Sequence, residues 1–159
     1  MVIRLITDKD YIAVAEMIGR AVTNSAFDRF YPKQSVEYIK GCFGVEGIKD
    51  RASWTHFYVM EIDDKIVGCG AIGPYYGSET ESSLFNIFVD SAYQGQGLGR
   101  KIIETLEQDE YFIRAKRIEI PASMSAIPFY RKMGYEHKDG MLIYDDGHFA
   151  LEKFNKKDD

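Results

Sequence analysis

The sequence predicts one α/β (α+β) domain with a mixed, mostly antiparallel sheet flanked by helices, and three observations support this fold class. First, the chain has 159 residues and is 45% apolar, which suits one folded domain. Second, pairs of β-rich runs joined by short polar turns indicate antiparallel hairpins. Third, strand and helix patterns alternate in the second half of the chain, and this alternation indicates some parallel pairing.

The first third of the chain begins with a short strand and a helix. Residues 3–6 are β-rich, and Thr7 and Asp10 have the spacing of a capping box. The next apolar residues recur at helical spacing and predict a first helix: Ile12, Ala15, Ile18, Ala21 and Val22. An aromatic loop at 27–32 and a shorter helix at 35–42 are expected to follow. Three glycines then predict a loop: Gly41, Gly44 and Gly47.

The centre of the chain contains the clearest strand patterns. Residues 57–62 and 65–73 are β-rich, and Asp63 and Asp64 between them predict a hairpin turn. Residues 84–89 are almost continuously apolar, as in a strand that is covered on both faces. An amphipathic helix follows a glycine cluster, with apolar residues at helical spacing: Leu98, Ile102, Ile103 and Leu106.

The last third of the chain predicts one more helix among short strands. The helix covers 126–133 and ends at Gly134, which is the usual residue type after a helix. The expected strands are 117–120, 135–137, 141–144 and 148–154. We therefore expect a single domain over residues 1–154, with residues 155–159 as a solvated tail.

Composition excludes several classes of protein. The net charge of −5 disfavours binding of nucleic acid over a broad face, and no apolar segment is long enough to span a membrane. Cys42 and Cys69 fit neither a disulfide framework nor a zinc motif, so we expect reduced thiols and a cytoplasmic protein. The three histidines lack metal-binding spacing: His56, His137 and His148.

The glycine cluster at 94–100 is the most informative segment. It lies between the most apolar strand and an amphipathic helix, where backbone N–H groups lack partners and the helix dipole favours an anion. Glycines allow a ligand to approach those N–H groups, and Arg100 adds a positive charge. The spacing fits neither a Walker A loop nor a Rossmann fingerprint. A pyrophosphate site and a plain glycine-rich turn both remain open on this segment alone.

A second segment, at 121–135, helps to decide between a pyrophosphate site and a plain glycine-rich turn. In the first segment Gln94, Gly97 and Gly99 match the pattern Gln/Arg-x-x-Gly-x-Gly/Ala. The second segment supplies an alanine, a Phe-Tyr pair and a Gly-Tyr pair: Ala126, Phe129, Tyr130, Gly134 and Tyr135. With both motifs at this separation, the chain resembles the GNAT superfamily of N-acetyltransferases over about residues 57–135.

The resemblance implies acetyl-CoA as co-substrate, with no metal. In this family the central strand carries a bulge and splays from its neighbour, and the pantetheine arm bonds to strand backbone in the gap. By position, the backbone of Ile87, Phe88 and Val89 would hold the arm. The pyrophosphate would be held by the turn: Gln94, Gly95, Gln96, Gly97, Leu98, Gly99 and Arg100. Ser123, where many members have Asn, and Phe129 complete the expected cofactor contacts.

The reaction requires a neutral amine and a proton for the departing thiolate. The resemblance assigns Tyr130 as the general acid, since a phenol is still protonated at neutral pH. The general base stays open among Glu81, a water held by Ser83 or Asn86, and no dedicated base at all. Neither cysteine suggests an acetyl-enzyme, so we expect direct attack in a ternary complex.

The acceptor is expected to be a small-molecule or peptide amine, bound by variable segments. Aromatic residues are the candidate wall: Phe27, Phe30, Tyr31, Trp54, Tyr75 and Tyr76. Nearby acids suit a cationic amine: Asp28, Glu79 and Glu81. The same aromatics also fit a core or a dimer contact, and a homodimer is possible since the family often forms one. Two alternatives to the enzyme stay open, a non-catalytic acyl-CoA sensor and a structural domain without a ligand.

Overall fold

The computed structural model describes residues 1–23, 43–142, 144, 145 and 148–155, with the backbone alone at 144 and 145. Its helices are α1 (Tyr11–Thr23), α2 (Val45–Ala52), α3 (Leu98–Leu106), α4 (Glu110–Arg114) and α5 (Ile127–Lys132). Its strands are β1 (Val2–Leu5), β2 (His56–Ile62), β3 (Lys65–Pro74), β4 (Glu81–Val89), β5 (Arg117–Ala122), β6 (Glu136–His137), β7 (Tyr144–Asp145) and β8 (His148–Phe154). The predicted loop at 27–32 and helix at 35–42 lie outside the described residues.

The described strands form one mixed sheet in the order β1-β2-β3-β4-β5-β8-β6, and β7 also pairs with β8. Only the β4–β5 pair is parallel, and every other neighbouring pair is antiparallel. The predicted hairpin between β2 and β3 is confirmed, with Asp63 at φ 52° and Asp64 at φ 62°. Positive φ at both turn residues is the geometry that a two-residue hairpin requires. The predicted mixed, mostly antiparallel sheet is therefore confirmed.

Two apolar clusters cover the two faces of the sheet. One cluster joins the sheet to α3, α4 and α5, and it contains Ile102, Ile103 and Tyr130. The other joins the sheet to α1 and α2, and it contains Met17 and Ile48. Such burial on both faces explains why 84–89 reads as a continuous apolar run.

The central strand β4 carries a bulge and separates from β5. Along β3, Cys69 pairs with Phe88 but Ala71 pairs with Phe85, so one residue of β3 faces two residues of β4. Asn86, within this bulge, has φ 53°. On its other side β4 pairs with β5 only from Glu81 to Ser83. The expected splay of the central strands is therefore confirmed.

Four elements differ from the sequence-based expectations. The expected strand at 141–144 is not formed at 141 and 142, and β7 begins at Tyr144. In α1 the predicted Ile18, Ala21 and Val22 are buried, but Ile12 is 66% exposed and the buried face also contains Val14 and Met17. The glycines at 44 and 47 do not make a loop, because α2 runs through Gly47 and buries Ile48 completely. A glycine inside a helix costs only about 1 kcal/mol, which burial of one isoleucine offsets. Helix α4 was not expected at all.

Helix α3 packs closely on β3, and this contact fixes where the helix begins. An added Cβ at Gly70 would lie 2.6 Å from Cγ2 of Ile102, so only glycine fits there. Leu98, the first residue of α3, is 6% exposed and anchors the same end of the helix. The turn before α3 is thereby held at the end of β4. Among the described helices, none is long and apolar enough to cross a membrane.

Candidate active site

The turn between β4 and α3 presents free backbone N–H groups. Gly95 and Gly97 have φ 80° and 79°, and Gly97 is the N-cap of α3. Within the described parts of the chain, the N–H groups of residues 95–100 donate to no protein acceptor. An added Cβ at either glycine would meet no atom within 4 Å, so the space beside the turn is open. The turn can therefore bind a phosphate-like anion through backbone N–H groups at the positive end of the helix dipole.

A buried carboxylate holds the start of this turn. Asp90 is 1% exposed, and its side chain accepts a hydrogen bond from the N–H of Ala92 at 3.3 Å. Arg20, in the last turn of α1, donates to Asp90 Oδ2 from Nη2 at 2.9 Å and from Nε at 3.2 Å. Burial opposes ionisation of Asp90, but the bonds from Arg20 and Ala92 outweigh it, so the pKa lies below its usual value. Helix α1 therefore fixes the turn through a charged pair.

The predicted turn residues differ in what they contact. The side chain of Gln94 donates to the Val89 carbonyl oxygen at 3.3 Å, while those of Gln96 and Arg100 are exposed. Gly99 is different from Gly95 and Gly97, since an added Cβ there would lie 3.2 Å from Cζ of Phe129. The lack of a side chain at Gly99 thus allows α5 to pack against the start of α3.

The backbone of β4 next to the turn is paired on one side only. Val89 and Phe88 pair with Gly68 and Cys69 of β3, whereas pairing with β5 ends at Ser83. The side chains of Ile87 and Val89 pack in the α3 cluster, and that of Phe88 packs in the α1 cluster. The side chains of this segment thus fill the core, while its backbone edge toward β5 is available to an extended ligand.

Tyr130 lies in the same core cluster as the start of α3. The ring of Phe129 lies 5.3 Å from that of Tyr130 and also contacts Gly99, which joins the predicted acid to the turn. Tyr130 is 6% exposed, and its burial raises the pKa of the phenol above the usual value. The hydroxyl has no hydrogen-bond acceptor among the described residues.

Ser123 lies where β5 ends and the segment leading to α5 begins. Its hydroxyl is 3.3 Å from that of Ser125, and its carbonyl oxygen accepts from the N–H of Ala126. The side chain is partly exposed. It is therefore close in sequence to Tyr130 and still able to donate to a ligand.

The candidate bases are all engaged by other groups. Glu81 Oε1 accepts from Arg117 Nη1 at 2.7 Å. The hydroxyl of Ser83 donates to the Leu84 carbonyl oxygen at 3.2 Å. Asn86 Oδ1 accepts from Arg51 Nη1 at 3.2 Å. The geometry therefore favours none of them as a free base.

The described aromatic wall residues contact cations of the protein itself. Arg51 Cζ lies 5.3 Å from the ring centroid of Trp54, and Arg117 Cζ lies 5.3 Å from that of Tyr75. Tyr76 is 93% exposed, and Glu79 is also exposed. The remaining wall candidates lie outside the described residues: Phe27, Asp28, Phe30 and Tyr31. Because Glu81 pairs with Arg117, the expectation that Glu81 attracts a cationic acceptor is not favoured by its surroundings.

The sequence does not predict the roles of two arginines in this region, Arg20 and Arg51. Arg20 is 70 residues before its partner Asp90, and nothing in the sequence links the two. Arg51 lies in the last turn of α2 and Trp54 lies two residues after its end, in a segment for which the sequence predicts no helix. An aspartate directly after a buried strand is the one signal that predicts the anchored turn.

The sequence of the chain is similar to those of known proteins over about half of its length. The family model described as "Acetyltransferase (GNAT) domain" matches residues 53–137, which is more than half of the chain. An Escherichia coli K12 protein named "Uncharacterized N-acetyltransferase YjgM" is 32% identical over 90 residues, covering 54% of each chain. The chain thus spans about half the length of this curated relative.

Solved structures share the fold at low sequence identity. The PaiA N-acetyltransferase of Thermoplasma acidophilum, solved with coenzyme A, has a TM-score of 0.81 and 15% identity, over 97% of this chain and 98% of that chain. YncA of Salmonella typhimurium, solved with its cofactor acetyl-CoA, has a TM-score of 0.66 and 16% identity, over 100% of this chain and 96% of that chain. The bulged and splayed β4, the glycine turn before α3 and the family match all agree, and the chain belongs to the GNAT acetyltransferase family.

Proposed function

We propose that this protein transfers an acetyl group from acetyl-CoA to a primary amine, by direct attack in a ternary complex, and that residues 1–154 form its single catalytic domain. The observation that carries the proposal is the set of free N–H groups at 95–100, at the start of α3. Acetyl-CoA bears a diphosphate, which such a turn suits. The two structural neighbours that were solved with coenzyme A or acetyl-CoA support the same choice of ligand.

The chain's own residues fit two parts of the ligand, the diphosphate and the pantetheine arm. Residues 94–100 would hold the diphosphate, with Arg100 as a nearby positive charge. The backbone edge of Ile87, Phe88 and Val89 would bond to the pantetheine arm, as an added strand does. Ser123 and Phe129 would border the arm from the β5 and α5 side.

Acetyl-CoA supplies an acetyl group activated as a thioester. In the transfer, a C–N bond forms, the C–S bond breaks, the amine loses one proton and the sulfur gains one. We assign the hydroxyl of Tyr130 to the departing sulfur, where it donates a hydrogen bond and supports the transfer of the proton. No base is assigned, because Glu81, Ser83 and Asn86 are engaged with Arg117, Leu84 and Arg51. The acceptor amine would therefore arrive in its neutral form.

The role of the turn in binding coenzyme A is tested with the variant Gly97→Val. The affinity of this variant for coenzyme A is measured by calorimetric titration. A β-branched residue at φ 79° is strained by about 1–2 kcal/mol, and its side chain would occupy the open space beside the turn. We expect the affinity for coenzyme A to fall at least about tenfold. Gly77→Val is the matched control, since Gly77 has φ 74° and equally open surroundings but lies outside the turn.

Activity is tested by the release of free thiol from acetyl-CoA with a panel of amines. Thiol release that depends on an amine supports the enzyme. Tight binding of coenzyme A without thiol release for any amine would favour the acyl-CoA sensor. Wild-type protein that does not bind coenzyme A would contradict the proposed function.

A further inference from the structure

We propose that Arg51 binds a carboxylate of the acceptor, so that the preferred acceptors are small amino carboxylates; this inference rests on the proposed function. Arg51 lies at the end of α2, beside the bulge of β4. Its guanidinium carbon is 4.0 Å from the ring centroid of Phe85 and 5.3 Å from that of Trp54. Its Nη1 donates to Asn86 Oδ1 at 3.2 Å. The two rings and this bond fix the guanidinium in one place and orientation.

Among the described residues Arg51 forms no ion pair, and the carboxylate that acts on its charge is that of the adjacent, exposed Asp50. Four described arginines are partly buried, and three of these pair with carboxylates: Arg4, Arg20 and Arg117. The guanidinium of Arg51 bonds only to a neutral amide oxygen, and its Nε and Nη2 have no described acceptor. Burial lowers the pKa of Arg51, which reflects the cost of taking this charge out of water. A partly buried cation that forms no ion pair favours the binding of an anion from outside.

Three carboxylates of β4, β5 and β8 pair with cations other than Arg51. Arg117 pairs with Glu81, Glu119 and Glu152, and Lys138 Nζ lies 2.9 Å from Glu119 Oε1. This network joins β4, β5 and β8. Among the described arginines that are partly buried, Arg51 is thus the one that forms no ion pair.

The direction of β4 places Arg51 at the reacting end of the proposed cofactor. The turn at 94–100 follows the end of β4, so an arm that extends from it along the strand passes Val89, then Phe88, then Ile87. The next residue along this path is Asn86, the partner of Arg51. An acceptor at this point would meet Arg51 and the acetyl group together.

The proposed acceptor site at Arg51 and the proposed proton donor Tyr130 lie on opposite faces of the sheet. Phe85 and Phe88 pack in the cluster of α1 and α2, on the face where Arg51 lies. Tyr130 packs in the cluster of α3 on the opposite face. An amine that is held by Arg51 would thus approach from one face while the thiolate departs toward Tyr130. A guanidinium can bind a carboxylate through two parallel hydrogen bonds, which also orients the acceptor.

The inference is tested with matched acceptors, using thiol release from acetyl-CoA. Each common amino acid is compared with its carboxamide and its decarboxylated amine, and kcat/KM is expressed per unprotonated amine. We expect wild-type protein to prefer at least one amino acid over its two matched amines by about tenfold or more. Arg51→Ala should abolish this preference, because it should raise KM for the amino acid by about tenfold more than KM for the carboxamide. Lys49→Ala, which removes an exposed cation of the same helix, should keep the preference.

Arg51→Gln is the second variant, because it is uncharged but still able to donate to Asn86, and it should lose the preference as Arg51→Ala does. Calorimetric titration of each variant with coenzyme A checks that the cofactor site is intact. A wild-type protein that acetylates the carboxamides or plain amines at least as well as the amino acids would overturn the inference and leave the proposed function standing. The same holds for a preference that survives in both variants. Wild-type protein that binds coenzyme A but acetylates nothing would contradict the proposed function, and this inference with it.

Discussion

The hydroxyl of Tyr130 is a weaker acid than a free phenol, because burial raises its pKa above 10. A thiol resembling cysteine has a pKa near 8.5, so full transfer of the phenol proton to the thiolate is uphill. A hydrogen bond to the developing thiolate does not have this cost. The raised pKa therefore favours Tyr130 as a donor that stabilises the departing charge, with the sulfur receiving its proton as the amine loses one.

Tyr130→Phe should lower kcat by about 100-fold, the lower end of the roughly 10²–10⁴-fold that a positioned proton donor contributes. The affinity for coenzyme A should stay within about twofold, since the ring and its packing remain. Steady-state kinetics with calorimetric titration separates the two effects. In wild-type protein kcat should show no descending limb below about pH 10, because the folded-state pKa lies above that of a free phenol.

Tyr135→Phe is the control, since it removes another buried hydroxyl of the same core cluster. That hydroxyl donates to Glu107 Oε2 at 3.0 Å, so this variant should lose stability but keep kcat. Equal losses of kcat in both variants would show that Tyr130 acts through packing alone.

For single residues, the sequence predicts those that belong to local motifs well, and it predicts contacts between residues far apart in the chain poorly. Gly97 and Tyr130 belong to local motifs whose spacing can be read directly. Arg51 meets Asn86 only after α2 packs beside β4, and Arg20 meets Asp90 across 70 residues. No local pattern encodes such contacts, because they depend on how the elements pack together.

Helix α1 and the turn before α3 act as one unit through Arg20 and Asp90. Asp90 also accepts from the N–H of Ala92 and pairs its own N–H with the Val67 carbonyl oxygen at 2.8 Å. Removal of Arg20 would leave a carboxylate that is 1% exposed without its cation. The turn would then be less well ordered before a ligand binds.

Arg20→Ala should therefore weaken binding of coenzyme A by about three- to tenfold, because ordering the turn costs free energy on binding. The value of kcat at saturating acetyl-CoA should change little, since Arg20 does not reach the reacting atoms in this proposal. Calorimetric titration and the split between KM and kcat measure this. Arg20→Lys should restore part of the affinity, and Arg131→Ala, which removes an exposed pair with Glu136, should have no effect. A fall in kcat alone would contradict the positioning role.

The misjudged elements have physical causes. Gly44 and Gly47 indicated a loop, but complete burial of Ile48 stabilises α2 in the folded chain. Helix α4 has only five residues and is capped by Asp109, whose side chain accepts from the N–H of Tyr111 at 2.9 Å. Helices this short depend on tertiary packing, which a local pattern does not contain. The hairpin at Asp63 and Asp64, by contrast, follows from turn chemistry alone.

Over the whole molecule, a charged cluster joins the first strand, the first helix and the second strand. Arg4 donates to Asp10 at 2.7 Å and pairs with Glu61, while the N–H and hydroxyl of Thr7 donate to Asp10. The hydrogen bond from Arg4, more than any other contact, lowers the pKa of Asp10 to about 2. The side chain of Asp10 is 10% exposed, so solvent screens the pair only in part.

This cluster predicts a loss of stability in acid. A carboxyl group whose pKa is lower in the folded than in the unfolded chain stabilises the fold above its unfolded pKa. That contribution, about 1 kcal/mol after screening, should be complete above about pH 5 and disappear as the pH falls from about 4 to 2. Asp10→Asn should lower the free energy of unfolding by about this amount at pH 7 and by little at pH 2, as measured with urea.

The exposed Asp8→Asn is the control and should leave the free energy of unfolding nearly unchanged at both pH values. An Asp10→Asn deficit of the same size at pH 2 and pH 7 would mean that Asp10 stabilises the fold independently of its charge.

The three-residue pairing between β4 and β5 makes the sheet two ribbons joined by a short seam. Backbone hydrogen bonds hold each ribbon together, whereas in the described parts of the chain no backbone hydrogen bond joins β4 to β5 beyond Ser83. If the proposed arm binds between the two ribbons, it would connect them. The folded chain would then be more rigid in a cell with a high concentration of acetyl-CoA than in a cell with a low one.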